Sequence, residues 1–165
     1  MHKPIKIVDL FAGPGGLGEG FSAVGPSDAP TFKIAVSVEK EASAHSTLTL
    51  RAFTREFKNR MLPYEYYQYL RGEITKEELT AIYPKEWAAA CNETLGRPIA
   101  LGEDNKLIRS KINEALGDNS EPWVLIGGPP CQAYSLVGRA KNAGTKGYVP
   151  EDDDRHFLYL SLIHI

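Results

Sequence analysis

Cysteine is scarce in this chain, at two of 165 positions, Cys91 and Cys131. The two sit in different local contexts, with no Cys or His at zinc-ligand spacing, so neither a disulfide framework nor a metal site is expected. Long apolar runs are missing as well. No stretch approaches the roughly 18 residues of a membrane span, and Met1-His2-Lys3-Pro4-Ile5-Lys6 lacks the apolar segment of a secretory signal. A cytoplasmic protein with no membrane contact is the expectation. Positive charge is not in excess either: 19 Lys and Arg against 21 Asp and Glu give a formal net charge of −2. That argues against a nucleic-acid binder held by overall charge, so any such binding is local or made elsewhere.

What is present is enough for one core, with 42% hydrophobic and 10% aromatic residues. The apolar run Ile5 to Phe11 ends in a glycine cluster and is followed by Leu17, Phe21 and Val24 at helical spacing. Phe32 to Val38 is β-branched and apolar, Glu39 stands at its end, and Ala42 to Phe53 has helical character. Residues 54–97 are polar and tyrosine-rich, with Thr75-Lys76-Glu77-Glu78 reading as a capping box, and are expected to form a helical insertion. With nothing basic inside the run Tyr64 to Tyr69, the tyrosines read as cover for a core edge rather than a base-stacking surface. Pro98 to Leu101 is a short strand candidate. Asn105 to Leu116 carries Leu107, Ile108, Ile112 and Leu116 at helical intervals. Trp123 to Ile126 reads as a buried central strand running into Gly127-Gly128-Pro129-Pro130-Cys131, and Arg155 to Ile165 as the start of another apolar helix. Strands alternating with helices predict a parallel sheet with helices on both faces and ligands beyond the carboxyl ends of the strands.

Two turns at that edge carry chemistry. Gly13-Pro14-Gly15-Gly16-Leu17-Gly18 closes a strand and opens a helix, so backbone can approach a ligand closely. With Glu39 ending the next strand, positioned for ribose hydroxyls, the pair fits a nicotinamide cofactor and S-adenosylmethionine equally well. The competing reading is a tight turn without a ligand. At the second turn, two glycines and two prolines hold Cys131 rigidly at the same edge, which is a nucleophile's position. Cys91, in Trp87-Ala88-Ala89-Ala90-Cys91, fits an inert packing thiol instead. Arg139, Lys141 and Lys146 follow Cys131 in a loop where they can raise its thiolate fraction or contact phosphates.

These residues together resemble the DNA (cytosine-5) methyltransferase family. Asp9-Leu10-Phe11-Ala12-Gly13-Pro14-Gly15-Gly16 is similar to its first motif and Glu39 to the acidic residue of its second. Gly128-Pro129-Pro130-Cys131-Gln132-Ala133-Tyr134-Ser135 is similar to its nucleophile motif, and Asp153-Asp154-Arg155-His156-Phe157-Leu158 to the next. The resemblance implies a Rossmann-like S-adenosylmethionine-dependent methyltransferase fold of class α/β, truncated after about four strands. Asp9, Phe11 and Ala12 then belong to the cofactor site, Phe11 stacking on adenine, while Gly13, Gly15 and Gly16 hold the methionine part and Glu39 the ribose. Pro130 and Leu158 line the pocket, and Asp104 receives the adenine amino group, with Glu103 as its competitor. Lys40 also belongs to the cofactor site and is a departure, standing where the family often places a large apolar residue against the adenine. Gln132, Ser135 and Arg139 face the substrate.

Residues 1–165 are accordingly read as the N-terminal part of a catalytic domain, without the target recognition domain and inactive alone. The implied partners are double-stranded DNA with a flipped cytosine and a restriction endonuclease of the same system, in a bacterial cytoplasm, at the nucleoid when on DNA. Cys131 is the catalytic nucleophile: its thiolate adds to carbon 6 of cytosine, carbon 5 takes the methyl group, and loss of the carbon 5 proton expels the thiolate. A transfer-RNA cytosine-5 methyltransferase of the same family, a nicotinamide-dependent oxidoreductase and a catalytically dead cofactor-binding module are the alternatives.

Overall fold

The computed structural model describes residues 3–26, 29–57, 61–117 and 121–129. Within them three strands, β1 (Ile5–Leu10), β2 (Phe32–Val38) and β3 (Trp123–Gly127), form one parallel sheet in the order β2-β1-β3. β1 is therefore central, which explains why its last four residues are all buried. The helices are α1 (Gly16–Ser22), α2 (Ala42–Arg55), α3 (Tyr64–Leu70), α4 (Lys76–Ile82), α5 (Pro84–Glu93) and α6 (Asn105–Leu116).

Side-chain alternation along β1 divides the molecule. Val8 and Leu10, with Val36 and Val38 of β2, bury one face against Ile108, Ile112 and Leu116 of α6. Those three stand four residues apart and form a single stripe. Burying each such side chain stabilises the fold by about 1.5–3 kcal/mol. Leu107, read from the sequence as part of that stripe, lies beside it and is 37% exposed. Ile7 and Asp9 point to the opposite face, where α1 packs so closely that Gly18 lies against Asp9 and Ile34. Helices thus cover both faces.

Residues of α3, α4 and α5 build a second cluster on α2, around Phe53, Ala52, Leu79 and Ala90. Tyr66, Tyr69, Tyr83 and Trp87 close over it, whereas Tyr64 and Tyr67 remain exposed. The capping box is formed: the Thr75 side chain accepts from the Glu78 amide and Glu78 accepts from the Thr75 amide.

The expected strand at Pro98–Leu101 does not form, and the described residues contain three strands rather than about four. Leu95 and Gly96 leave α5 with left-handed φ angles of 64° and 69°, and Pro98 has no N–H to donate. The Ile99 amide reaches the residue just after β2, donating to the Glu39 carbonyl at 2.9 Å. Ile99 and Leu101 nevertheless bury their side chains in the α6 cluster.

Candidate functional site

The site lies beyond the carboxyl ends of β1 and β2, where the chain after each strand is held by the other. After Leu10 the backbone reverses through Phe11, whose φ of 56° is left-handed, a conformation that a bulky side chain rarely adopts. The Ala12 amide donates to the Val38 carbonyl at 3.0 Å, and the Gly15 amide returns to the Ala12 carbonyl at 3.0 Å. Gly15 has a φ of 88°, and a Cβ there would stand 2.9 Å from Leu48 Cδ1 of α2. Glycine is required on both counts. At Gly13 and Gly16 a Cβ would meet nothing within 4 Å, so this side of the turn opens onto free space.

Glu39 ties the turn to β2. Its Oε2 accepts from the Gly13 amide at 2.8 Å, and its Oε1 accepts from the amides of Lys40 at 2.9 Å and Glu41 at 2.7 Å. Glu41 in turn caps α2, accepting from the Ala44 amide. Glu39 therefore fastens the glycine turn, the start of α2 and, through its carbonyl, the segment at Ile99.

Between these elements lies a cavity of about 250 Å³ lined by Phe11, Gly13, Val38, Glu39, Lys40, Ile99, Leu101 and Gly128. One aromatic ring and three aliphatic side chains form an apolar slot, with a carboxylate and an ammonium at its polar end. Typical sites for small ligands run to roughly 300–1,000 Å³, so this slot has room for a small ligand or for one part of a larger one.

Of the residues singled out from the sequence, Phe11, Gly13, Glu39 and Lys40 meet in this cavity. Ala12 is buried behind it and Gly15 is wedged against α2. Asp104 is not among the lining residues; it precedes α6 and lies 3.8 Å from the Arg97 guanidinium. Glu103 is exposed and also outside the lining. Pro130, Cys131, Gln132, Ser135, Arg139 and Leu158 fall outside the described residues. Ile99, Leu101 and Val38 had no assigned site role in the sequence, and Gly128 was read only as part of the nucleophile motif. For Ile99 and Leu101 the available signal was their period-two spacing after the polar stretch.

Asp9 is placed differently from the other residues of its motif. It is 1% exposed, and neither carboxylate oxygen has a hydrogen-bond partner. Burial, reinforced by Glu93 and opposed by Arg55, pushes its carboxyl up to about 7. Beside it, Arg55 of α2 joins Glu19 of α1 to Glu93 of α5, and Ser37 of β2 donates to Glu93 at 3.4 Å. Burial likewise pushes Glu93 up to about 7, against the pull of Arg55. Three carboxylates and one guanidinium leave this cluster short of positive charge, so holding a proton relieves it. Among the described residues no group of His, Cys, Asp or Glu is arranged to hold a metal, and no helix is long and apolar enough to cross a membrane.

Comparison with known proteins identifies the chain's relatives. It is 32% identical over 170 residues to the type II methyltransferase M.Bpa9945I of Bacillus paralicheniformis, an alignment covering 93% of this chain and 36% of that protein. It is 27% identical over 160 residues to the type II methyltransferase M.AquIA of a Picosynechococcus species, covering 97% of this chain and 42% of that protein. The chain thus spans about two fifths of their length or less. No family model matches it, and no solved structure matches it.

Proposed function

We propose that this chain, a homologue of type II methyltransferases over nearly all of its length, carries the S-adenosylmethionine site and the nucleophile of a DNA (cytosine-5) methyltransferase. The observation that carries the reading is the cavity where Phe11, Glu39 and the glycine turn meet at the ends of two parallel strands. In a Rossmann-like sheet this edge is where nucleotide-type ligands bind.

The residues present fit the cofactor. Phe11, Ile99 and Leu101 offer an apolar slot for adenine, and Glu39 Oε2, which accepts from the Gly13 amide alone, keeps accepting capacity for a ribose hydroxyl, while Oε1 already accepts from two amides. The open side of the turn at Gly13 and Gly16 leaves room for the amino-acid end of the ligand. The bound cofactor supplies an electrophilic methyl group. Pro130 and Leu158 complete its pocket in this reading; Asp104, with Glu103 as its competitor, is the candidate for the adenine amino group, although both lie outside the cavity lining.

On the substrate side the Cys131 thiolate attacks carbon 6 of a cytosine turned out of the duplex, which makes carbon 5 electron-rich enough to take the methyl group. Loss of the carbon 5 proton then re-forms the ring double bond and expels the thiolate. Gln132, Ser135 and Arg139 position the base and its phosphates. Double-stranded DNA is the substrate, a restriction endonuclease of the same system the partner, and the cytoplasm the place of action.

Covalent trapping tests the reading. With the full-length protein, DNA carrying 5-fluorocytosine at the target and the cofactor, an adduct is expected on Cys131 and absent in Cys131→Ser. An adduct on Cys91, or one undiminished in Cys131→Ser, refutes it.

A further inference from the structure

We infer that Glu39 is also a positioning residue, whose carboxylate holds Phe11 in the left-handed conformation that makes it a wall of the cavity. The inference rests on reading that cavity as a nucleoside site. A bulky residue at φ 56° stays there only when its surroundings over-determine it. The two residues after Phe11 are pinned to the end of β2, Ala12 through the Val38 carbonyl and Gly13 through Glu39 Oε2. The bond at Gly13 is the one of the pair made by a side chain. Its geometry is fixed from the other end too, since Oε1 accepts from the amides of Lys40 and Glu41. With three backbone N–H groups on a charged carboxylate, the clasp belongs to the stronger class of hydrogen bonds.

Without that carboxylate the Gly13 amide is released and Phe11 is free to relax toward negative φ, where its ring no longer borders Val38, Ile99 and Leu101. Glu39 then matters to the base as well as to the sugar. A purely ribose-binding residue affects only ligands that carry ribose hydroxyls.

Calorimetry on the full chain separates the two roles, with adenosine and 2′,3′-dideoxyadenosine titrated into wild type, Glu39→Ala, Phe11→Ala and the double variant. Glu39→Ala is expected to weaken dideoxyadenosine about tenfold, the scale of one lost charge-assisted hydrogen bond, and adenosine by more. In the Phe11→Ala background the same change is expected to shift dideoxyadenosine by less than about twofold, because the ring through which Glu39 acts is gone. If Glu39→Ala does not fold, Glu39→Gln fills the same space while replacing one acceptor oxygen by a donor. Unchanged dideoxyadenosine binding with weakened adenosine binding overturns the clasp and leaves the nucleoside reading standing. Failure of the wild type to bind either nucleoside overturns both.

Discussion

Asp9 lies directly under α1, with its Oδ2 3.3 Å from where a Cβ at Gly18 would stand. Gly18→Ala therefore sets two effects against each other. Replacing a helical glycine gains up to about 1 kcal/mol in propensity, whereas overfilling a packed site typically costs about 1–3 kcal/mol. The neighbours here, a fully buried carboxyl and Ile34 at 3.6 Å, have little room to yield. A net loss on the order of 1 kcal/mol is expected in urea denaturation. A gain in stability would show that Asp9 moves freely.

Buried Asp9 makes stability depend on pH in a stated direction. The folded carboxyl keeps its proton up to about pH 7, against an ordinary value of 3.8. Between those values the native state binds more protons than the unfolded chain, so this contribution is full below the ordinary value and is lost as pH rises through about 7. The loss is on the order of 4 kcal/mol if Asp9 acts alone, and Glu93 adds to it in the same direction. Asp9→Asn is expected to match the wild type only below the ordinary value of 3.8, to exceed it by about 1–2 kcal/mol near pH 5 and by about 4 kcal/mol near pH 8. Parallel stability curves for the two proteins would refute the assignment.

Gly15→Ala combines an unfavourable φ of 88° with a contact at 2.9 Å to buried Leu48. Loss of about 2–3 kcal/mol of stability is expected, together with weaker nucleoside binding, since the turn is displaced toward the cavity. Adding Leu48→Ala frees the space but not the φ. Nucleoside affinity is therefore expected to recover in part, a result readable by titration.

Outside the cavity lining, Thr75→Ala removes one half of the capping box on α4. The expected cost is about 1 kcal/mol, with nucleoside affinity unchanged because α4 contributes nothing to the cavity lining. Thermal denaturation and calorimetry on the same sample check both halves of the prediction.

Much of this was legible in the sequence because the signals were local. The glycine run after an apolar stretch marked the turn, and Glu39 at the next strand end marked its partner, which the Gly13 amide meets at 2.8 Å. α6 appeared with the bounds its periodicity suggested. What could not be read was set by contacts distant in the chain. Asp9 looked like one more motif residue, and its burial beside Arg55 and Glu93 follows from α2 and α5 packing on that face. The Pro98–Leu101 segment has strand-like residues, but left-handed backbone at Leu95 and Gly96 brings Ile99 to the residue just after β2. Asp104 sits beside Arg97 rather than in the cavity lining, a pairing that the run Leu101-Gly102-Glu103-Asp104 does not announce.

The central claim is that the Phe11–Glu39 cavity takes the nucleoside end of a methyl-donor cofactor. Its most direct test is calorimetric titration of the chain with S-adenosylhomocysteine and, separately, with NAD, using wild type and Phe11→Ala. Saturable binding of S-adenosylhomocysteine is expected, weakened about tenfold or more by Phe11→Ala as a stacked aromatic contact and its buried area are lost, with no comparable binding of NAD. Preferential binding of NAD, or S-adenosylhomocysteine binding that Phe11→Ala leaves unchanged, would contradict the claim.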